Sequence, residues 1–402
     1  MPDSGYTLKI HADPGSLPAQ AWDALLAQDP NANPFVSHAY LNALHTSGAA
    51  SPEAGWLAQF LTLWRGDALV AGVPLYAKGN SYGEYVFDWS WADAQERMGI
   101  AYYPKWLVAV PFTPVGGTRL LAVDAAARAA LADALLALVR QEQLSSLHVL
   151  FAPPDQIQLL SERGMLVRTG VQFHWRNQAY ADFAHFLEAL AQPKRKKIRA
   201  ERRKVQEAGI RLEQRCGTDI READWDFFFR CYENTYLQHG SPPYLNRAFF
   251  GTLASTMPEH LLLVLAYDGQ VPVASALGIY DRARGTLYGR YWGALVQVSC
   301  LHFECCYYQM IDFAIREKLQ VFEGGAQGAH KLARGLDPVA TASVHWLREP
   351  PMHAAVARFL ARERTAVQES LDELGEHRAL RAGGALTLNP SPGPEETPPS
   401  TE

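Results

Sequence analysis

The residues best suited to chemistry gather in one stretch of the chain, residues 286–335. Glu304 falls in the first turn of a predicted helix, where its carboxylate is a candidate general base; alternatively it only complements the helix dipole. Cations beside the loop 324–328 can bind a phosphate or a carboxylate; they are Arg290, His330, Lys331 and Arg334. Four further candidates for substrate or cofactor binding belong to this stretch: Trp292, His302, Tyr308 and Gln327. The pattern predicts a ligand site here, with a purely structural histidine as the alternative for His302.

The elements that must position these residues are a strand, a helix and a second strand. Residues 286–292 are rich in β-forming side chains and are predicted as a strand. Apolar residues recur at helical spacing along 301–318, and cations in its last turn suit a helix C-terminus. Residues 319–323 are predicted as a short strand. Such a unit brings its loops to one rim of a sheet, where ligands usually bind.

A second candidate set lies in the first half of the chain, in and after an aromatic run at residues 81–99. Glu84 and Asp88 are competing candidates for the base, because aromatic surroundings raise the pKa of a carboxylate by desolvation. Hydrogen bonding to Tyr or Trp within the fold is the equally weighted alternative. Tyr102 and Lys105 follow the run and are candidates for ligand binding.

A basic segment, residues 194–204, lies between the two halves and is predicted to be helical. Cations cover most of its circumference, and Ile198 and Val205 form a narrow apolar stripe. Such a surface can contact an RNA backbone; the alternative is a solvated linker helix. The candidate RNA contacts are Lys194, Arg195, Lys197 and Arg199.

The chain is predicted to form two domains, because 402 residues exceed one ordinary core. The segments LTLWRGDALVAGVPLY and LVLAYDGQVPVASALGIY both read as hairpins and lie one domain length apart. This similarity indicates two copies of one α/β unit. The predicted domains span residues 1–190 and 191–380, the second beginning with a basic helix at 194–208. Residues 381–402, rich in Pro, Ser and Glu, are predicted to be a disordered tail.

Composition excludes several classes of protein. A net charge of -5 argues against a protein that coats nucleic acid generally. No apolar run approaches the ~20 residues of a membrane span, and the first residues lack the pattern of a secretory signal. Five cysteines without zinc-type spacing fit a reducing compartment, so we expect a cytoplasmic protein. The histidines also lack metal-ligand spacing, and no metal site is predicted.

Seven segments together carry a family resemblance: YGEYVFDWSWADA (82–94), YYPK (102–105), QFHWRN (172–177), KRKKIRAER (194–202), LYGRYWG (287–293), LHFECCYYQ (301–309) and FEGGAQGAHKLARG (322–335). With them the chain resembles the FemAB-like branch of the GNAT acyltransferase superfamily, in particular the peptidoglycan biosynthesis/recognition proteins. The resemblance implies two tandem GNAT-like domains, with mixed α/β sheets flanked by helices. It also implies transfer of an acyl or aminoacyl group to an amine.

The resemblance leaves the donor open. Enzymes of this superfamily that use acetyl-CoA usually hold its pyrophosphate on a glycine-rich loop between a strand and a helix. The corresponding connection here, residues 293–300, has a single glycine. We therefore expect either acyl-CoA or aminoacyl-tRNA as donor, no tightly bound cofactor, and an amine of a peptide, an amino acid or a cell-wall precursor as acceptor. The alternative function is a non-catalytic module that recognises a peptidoglycan precursor or a peptide.

Overall fold

A computed structural model describes residues 5–326, 328–376 and 379–380. The chain is a mixed α/β protein in which helices flank two sheets. The described strands are β1 Thr7–His11, β2 Trp56–Ala58, β3 Phe60–Arg65, β4 Ala68–Val73, β5 Leu75–Lys78, β6 Lys105–Val108, β7 Leu121–Ala122, β8 Ser146–Val149, β9 Leu166–Arg176, β10 Ile210–Cys216, β11 Leu261–Asp268, β12 Val271–Asp281, β13 Thr286–Ala294, β14 Val321–Glu323 and β15 Asp337–Leu347.

The described helices are α1 Ala19–Gln28, α2 His38–Thr46, α3 Trp89–Arg97, α4 Ala125–Gln141, α5 Pro154–Ser161, α6 Phe183–Ala189, α7 Gln192–Glu207, α8 Glu222–Gln238, α9 Arg247–Thr256, α10 Leu301–Phe303, α11 Gln309–Arg316 and α12 Pro350–Glu376. A π-helical turn, Glu304–Tyr308, joins α10 to α11. The predicted helix 301–318 is therefore present, with a π-bulge inside it. None of the helices in the described ranges is long and apolar enough to cross a membrane.

Eleven of the described strands form one continuous sheet in the order β10-β11-β12-β13-β14-β9-β15-β8-β6-β5-β2. A smaller sheet has the order β1-β3-β4-β7. The first-half hairpin belongs to both sheets, because each of its strands is interrupted, at Gln59 and at Pro74. The backbone N–H of Gln59 still donates to Leu75 O at 2.8 Å, which keeps the two strands paired across the interruption.

The strand order repeats, as the duplicated hairpins predict. In each half a hairpin is followed by a third antiparallel strand, then by a helical crossover to a parallel strand: β6 to β8, and β13 to β14. The hairpins match in detail, since the glycines of their turns, Gly66 and Gly269, both have a φ of 58°. Each hairpin also has a register shift just before that turn. The predicted fold class is confirmed.

The two halves exchange their last strands. β9, which follows β8 in the chain, pairs with β14 of the second half, while β15 lies between β8 and β9. The domain division at residues 190/191 stays a prediction, because the large sheet runs through it without a break. The predicted tail, 381–402, lies outside the described residues.

Helix signals in the sequence correspond to the observed boundaries. Asp124 caps α4 by accepting from the backbone N–H of Ala127, which satisfies a donor that the helix itself leaves free. In α7 the predicted apolar stripe, Ile198 and Val205, is fully buried. Glu201 lies between them on the same face and is buried as well, a position with the i, i+3, i+4, i+7 spacing of a buried helix face.

Candidate functional site

A cleft of about 590 Å³ opens where the two halves of the chain meet. The first half contributes Tyr85, Pro114, Val115 and Gln172. The second half contributes α8, the C-terminal part of β13 and the end of β14. These include Tyr232, Thr235, Tyr236, His239, Tyr288, Gly289, Arg290, Tyr291, Trp292, His302, Glu323, Gly324 and Gly325. The predicted site residues Arg290, Trp292 and His302 are thus brought together.

Arg290 lies at a β-bulge. Leu277 pairs with Tyr291 and Gly278 with Gly289, so Arg290 is the extra residue on β13. Bulges redirect a side chain out of the regular alternation. The guanidinium donates to Phe112 O at 2.9 Å and to Tyr291 Oη at 3.0 Å, while its Nε has no hydrogen-bond partner among the described residues. A residue that lines the cleft therefore keeps one donor without a partner.

Glu323, at the end of β14, is a cleft residue that sequence reasoning missed as a site. Burial raises the pKa of its carboxyl to about 8, against the opposing effect of Arg290. The Glu323 Oε2 atom lies 3.9 Å from His174 Nε2 on the neighbouring strand β9. Burial lowers the pKa of His174 to about 4, and Arg176 acts in the same direction. A carboxyl that titrates near the working pH suits general-base catalysis.

Helix α8 forms the roof of the cleft and packs tightly on β13. The side chains of Thr235 and Asn234 donate to Trp292 O and Ala294 O at 2.9 and 2.8 Å. Between these contacts lies Gly293, where an added Cβ would be 1.8 Å from Cys231 O. A glycine is therefore required for this close approach, which holds the phenols of Tyr232 and Tyr236 over the cleft.

A smaller cavity of about 130 Å³ extends the cleft between β13 and the helix that follows it. The parallel pairing of β13 with β14 ends at Tyr288 and Glu323, and the space beyond is lined by Trp292, His302, Cys306, Tyr307, Met310 and Phe322 among others. Burial lowers the pKa of His302 to about 4, and the nearby cations act in the same direction. His302 is therefore neutral at pH 7, with its ring 5.5 Å from that of Trp292.

Glu304, predicted as the base, does not line the cleft. Its carboxylate accepts from Arg202 Nε and Nη2 at 3.2 and 3.1 Å, and from Gln309 Nε2 at 2.8 Å. The Glu304 side chain is only 5% exposed. The ion pair between Glu304 and Arg202 joins α7 to the helix of residues 301–316, which is a structural role. The expectation that Glu304 faces the ligand is therefore corrected.

Glu84 and Asp88 likewise do not line the cleft; both belong to a buried network around Lys105. Lys105 Nζ donates to Glu84 Oε2 at 2.9 Å and to Asp88 Oδ2, and Tyr102 Oη donates to Asp88 Oδ2 at 2.7 Å. One cation serves two carboxylates. Burial raises the pKa of Glu84 to about 7; at Asp88 burial acts in the same direction, but Lys105 and His148 together outweigh it and lower the pKa. The four residues form one buried hydrogen-bonded network, and none of them lines the cleft.

The remaining predicted binding residues support the cleft from behind. Arg334 donates to both oxygens of Glu201 at 2.8 and 2.9 Å, and Tyr308 Oη donates to the same carboxylate. Lys331 Nζ donates to Gly325 O at 3.2 Å and so anchors the cleft wall, and burial lowers its pKa to about 8. His330 Nε2 lies 3.2 Å from Tyr307 Oη. Gln327 lies outside the described residues.

The basic helix α7 borders the site without lining it. Lys197 and Arg199 are exposed, and Lys194 and Arg195 are half-buried. None of the four forms an ion pair within the part of the chain that the structure describes. RNA contact through them stays a prediction. Over the same ranges, no group of three His, Cys, Asp or Glu side chains is arranged to hold a metal ion.

Fold and site together define an α/β protein in which two copies of one strand arrangement share one cleft. The chain belongs to the FemAB-like family, described as peptidoglycan biosynthesis/recognition, whose sequence profile matches residues 14–382. No curated protein matches its sequence.

Solved structures with the same fold are distant in sequence. The crystal structure of FemX is 12% identical with a TM-score of 0.53, over 85% of this chain and 98% of that chain. L-PGS from Bacillus licheniformis is 10% identical with a TM-score of 0.53, over 88% and 99%. The C-terminal domain of a putative lysylphosphatidylglycerol synthetase from Agrobacterium fabrum is 9% identical with a TM-score of 0.50, over 86% and 95%. At these identities the likeness establishes the fold alone.

Proposed function

We propose that this protein is an N-acyltransferase that moves an acyl or aminoacyl group to an amine in the cleft, with Glu323 as the base. The observation that carries the proposal is that one cavity is lined by a half-buried carboxyl with a raised pKa and by a guanidinium whose Nε has no partner among the described residues. This pairing favours Glu323 as the base over Glu304, Glu84 or Asp88.

The reaction requires few groups from the protein. The nitrogen lone pair of the acceptor attacks the carbonyl carbon of a thioester or ester, and the carbonyl oxygen becomes an oxyanion. The guanidinium of Arg290, which lines the cleft, is the donor that we assign to that oxyanion, and a preorganised donor in a water-poor site stabilises such charge strongly. Glu323 takes the proton from the attacking nitrogen. The tetrahedral intermediate then collapses, the C–S or C–O bond breaks, and the leaving thiolate or alkoxide takes the proton that Glu323 removed from the nitrogen.

Both donor classes fit the proposal. The 130 Å³ extension beside Trp292 and His302 is a narrow slot with both polar and apolar side chains in its wall, and its size suits the acyl or side-chain portion of a donor. His330, Lys331 and Arg334 lower the pKa of His302, so the extension has a positive electrostatic environment although none of the three lines it. The exposed cations of α7 support aminoacyl-tRNA in particular.

The test is turnover with purified protein, given acetyl-CoA or charged tRNA and a mixture of amine acceptors. Glu323→Gln is expected to lower kcat/KM by about 10²–10⁴-fold, the usual contribution of a positioned base. Glu188→Gln is the matched control, because Glu188 is exposed on α6. Full activity in Glu323→Gln would remove Glu323 from the mechanism. Specific ligand binding without turnover by either donor would favour a recognition module of the same family.

The donor itself is decided by a separate measurement. Native mass spectrometry of freshly purified protein detects retained CoA, and a gel-shift titration with charged tRNA at two salt concentrations detects RNA binding. An RNA-binding role requires that Lys197→Gln combined with Arg199→Gln weakens the shift and its salt dependence. Absence of any shift at low salt excludes aminoacyl-tRNA.

A further inference from the structure

A second cavity, of about 870 Å³, meets the cleft at its far end. The two cavities share Gln172, Tyr288 and Glu323 in their linings. Tyr288, Glu323 and His174 lie side by side across β13, β14 and β9. The candidate base is therefore at the junction of two chambers, as a transfer between two substrates requires.

The second cavity is built from different parts of the chain. In the first half, the loops at residues 30–32, 116–117 and 151–153 line it together with helix α5. Its floor is the start of β13, the centre of β15 and the face of β9 that carries Gln172, His174 and Arg176. Side chains two residues apart on a strand point to the same face, roughly 6.5 Å apart. Arg176 thus lies one step along β9 from the row that contains Glu323.

The charge of this cavity is one-sided. Among its described lining residues the only carboxyl group is Glu323, whereas Arg176 and Arg284 are both cations. Arg284 donates from Nη2 to Ala27 O and Asp29 O at 3.2 and 3.0 Å. Arg176 is exposed, and its side chain makes no hydrogen bond or ion pair within the described ranges. An unpaired guanidinium in a concave wall suits a carboxylate, which it can bind through two parallel hydrogen bonds.

We propose that this cavity binds the acceptor, an amine that also carries a carboxylate, with Arg176 binding the carboxylate and the amine directed to Glu323. The acceptor class is then a free amino acid or a short peptide with a free C-terminus or an acidic side chain. This inference rests on the proposed acyl transfer, since it assigns the acceptor of that reaction. The donor occupies the first chamber, beside Arg290 and Trp292.

The experiment measures binding without any donor. The probes are the common amino acids and a set of dipeptides, each as the free acid and as its C-terminal carboxamide, titrated by ligand-observed NMR. At least one acid is expected to bind about tenfold or more tightly than its own amide, the loss typical of a missing charge-assisted hydrogen bond. Amino acids and dipeptides are titrated in separate series, and the series with the higher affinity identifies the acceptor class.

Two variants test whether Arg176 causes the preference for the acid. Arg176→Gln is expected to reduce the affinity of the acid to that of the amide, and Arg140→Gln, an exposed arginine on α4, is expected to leave the preference unchanged. The inference is overturned if no acid binds better than its amide, or if Arg176→Gln retains the preference. These outcomes are independent of turnover, so loss of activity in Glu323→Gln together with an unchanged preference in Arg176→Gln rejects the acceptor assignment and keeps the acyl transfer.

Discussion

Glu323 and His174 lie directly opposite each other on β14 and β9, with 3.9 Å between Glu323 Oε2 and His174 Nε2. Burial raises the pKa of Glu323 to about 8 and lowers the pKa of His174 to about 4, so both are mainly uncharged at pH 7 in the empty cleft. An arriving ammonium group favours the ionised carboxylate. Substrate binding therefore helps to convert Glu323 into a base.

The first prediction concerns the pH dependence of catalysis. Because a base acts in its ionised form, kcat/KM is expected to rise with pH through an apparent pKa near 8, that of the free protein. Glu323→Gln is expected to remove that rise along with most of the activity. A profile that is flat between pH 6 and 9 would contradict the assignment.

The second prediction concerns the free energy of unfolding, which is expected to fall as pH rises through the pKa of Glu323. A carboxyl whose pKa is higher in the folded than in the unfolded chain contributes stability that is fully present below its unfolded value and is lost as pH rises through about 8. Glu323→Gln is therefore expected to raise the free energy of unfolding at pH 9 relative to the native sequence, with a smaller difference at pH 5. Urea denaturation at both values measures it. Equal shifts at pH 5 and pH 9 would show that Glu323 titrates normally.

Glu304→Gln is expected to act on stability and leave the chemical step intact. Loss of the charge weakens the bonds to Arg202 and Gln309, at a cost of about 1–3 kcal/mol in the free energy of unfolding. A double-mutant cycle with Arg202→Met measures the coupling between the two residues. A fall in kcat of a hundredfold at unchanged stability would restore Glu304 as a catalytic residue.

Lys105→Met tests the buried network. It leaves Glu84 and Asp88 without their shared cation, and removal of one partner from a buried ion pair costs about 3–5 kcal/mol. The exposed Lys196→Met is the control. Because protonation neutralises the carboxylates, the loss of stability should be smaller at pH 5 than at pH 8. A loss within 0.5 kcal/mol, the usual range for surface changes, would mean that the network does not hold the fold.

Gly293→Ala tests the roof of the cleft. The new Cβ would collide with the backbone carbonyl of Cys231, so α8 must move away from β13. We expect a loss of about 1–3 kcal/mol, the usual cost of overpacking, together with weaker ligand binding because Tyr232 and Tyr236 move with the helix. Gly79→Ala, at a position with open space around the added Cβ, is the control. Unchanged binding in Gly293→Ala would show that the helix does not shape the cleft.

Local sequence signals predicted much of the fold. The capped helix α4, the hairpins with their turn glycines, and the strand–helix–strand unit around α10 and α11 all follow from periodicity and turn chemistry. The same signals assigned Arg290, Trp292 and His302 to one predicted ligand site, and in the structure all three line the cleft. The repeat in the sequence corresponds to a repeat in strand order.

The base was missed because its environment is non-local. Glu323 occupies the site only because β14 pairs with β9, a strand about 150 residues earlier in the chain. Its position was nevertheless informative, since a carboxylate at the C-terminal end of a parallel strand, followed by two glycines, is where ligands are usually bound. The prediction of Glu304 as the base failed for the same reason, because its partner Arg202 lies on α7, 102 residues away in sequence.

The exchange of β9 and β15 ties the two copies into one folding unit. A polypeptide released at residue 190 would leave an open edge at β8, where β15 belongs. During synthesis, β8 of the amino-terminal copy therefore gains its pairing strand only after Leu347, the last residue of β15, has left the ribosome. Separate genes for the two copies would have to encode partners that associate, and a single continuous chain removes that requirement.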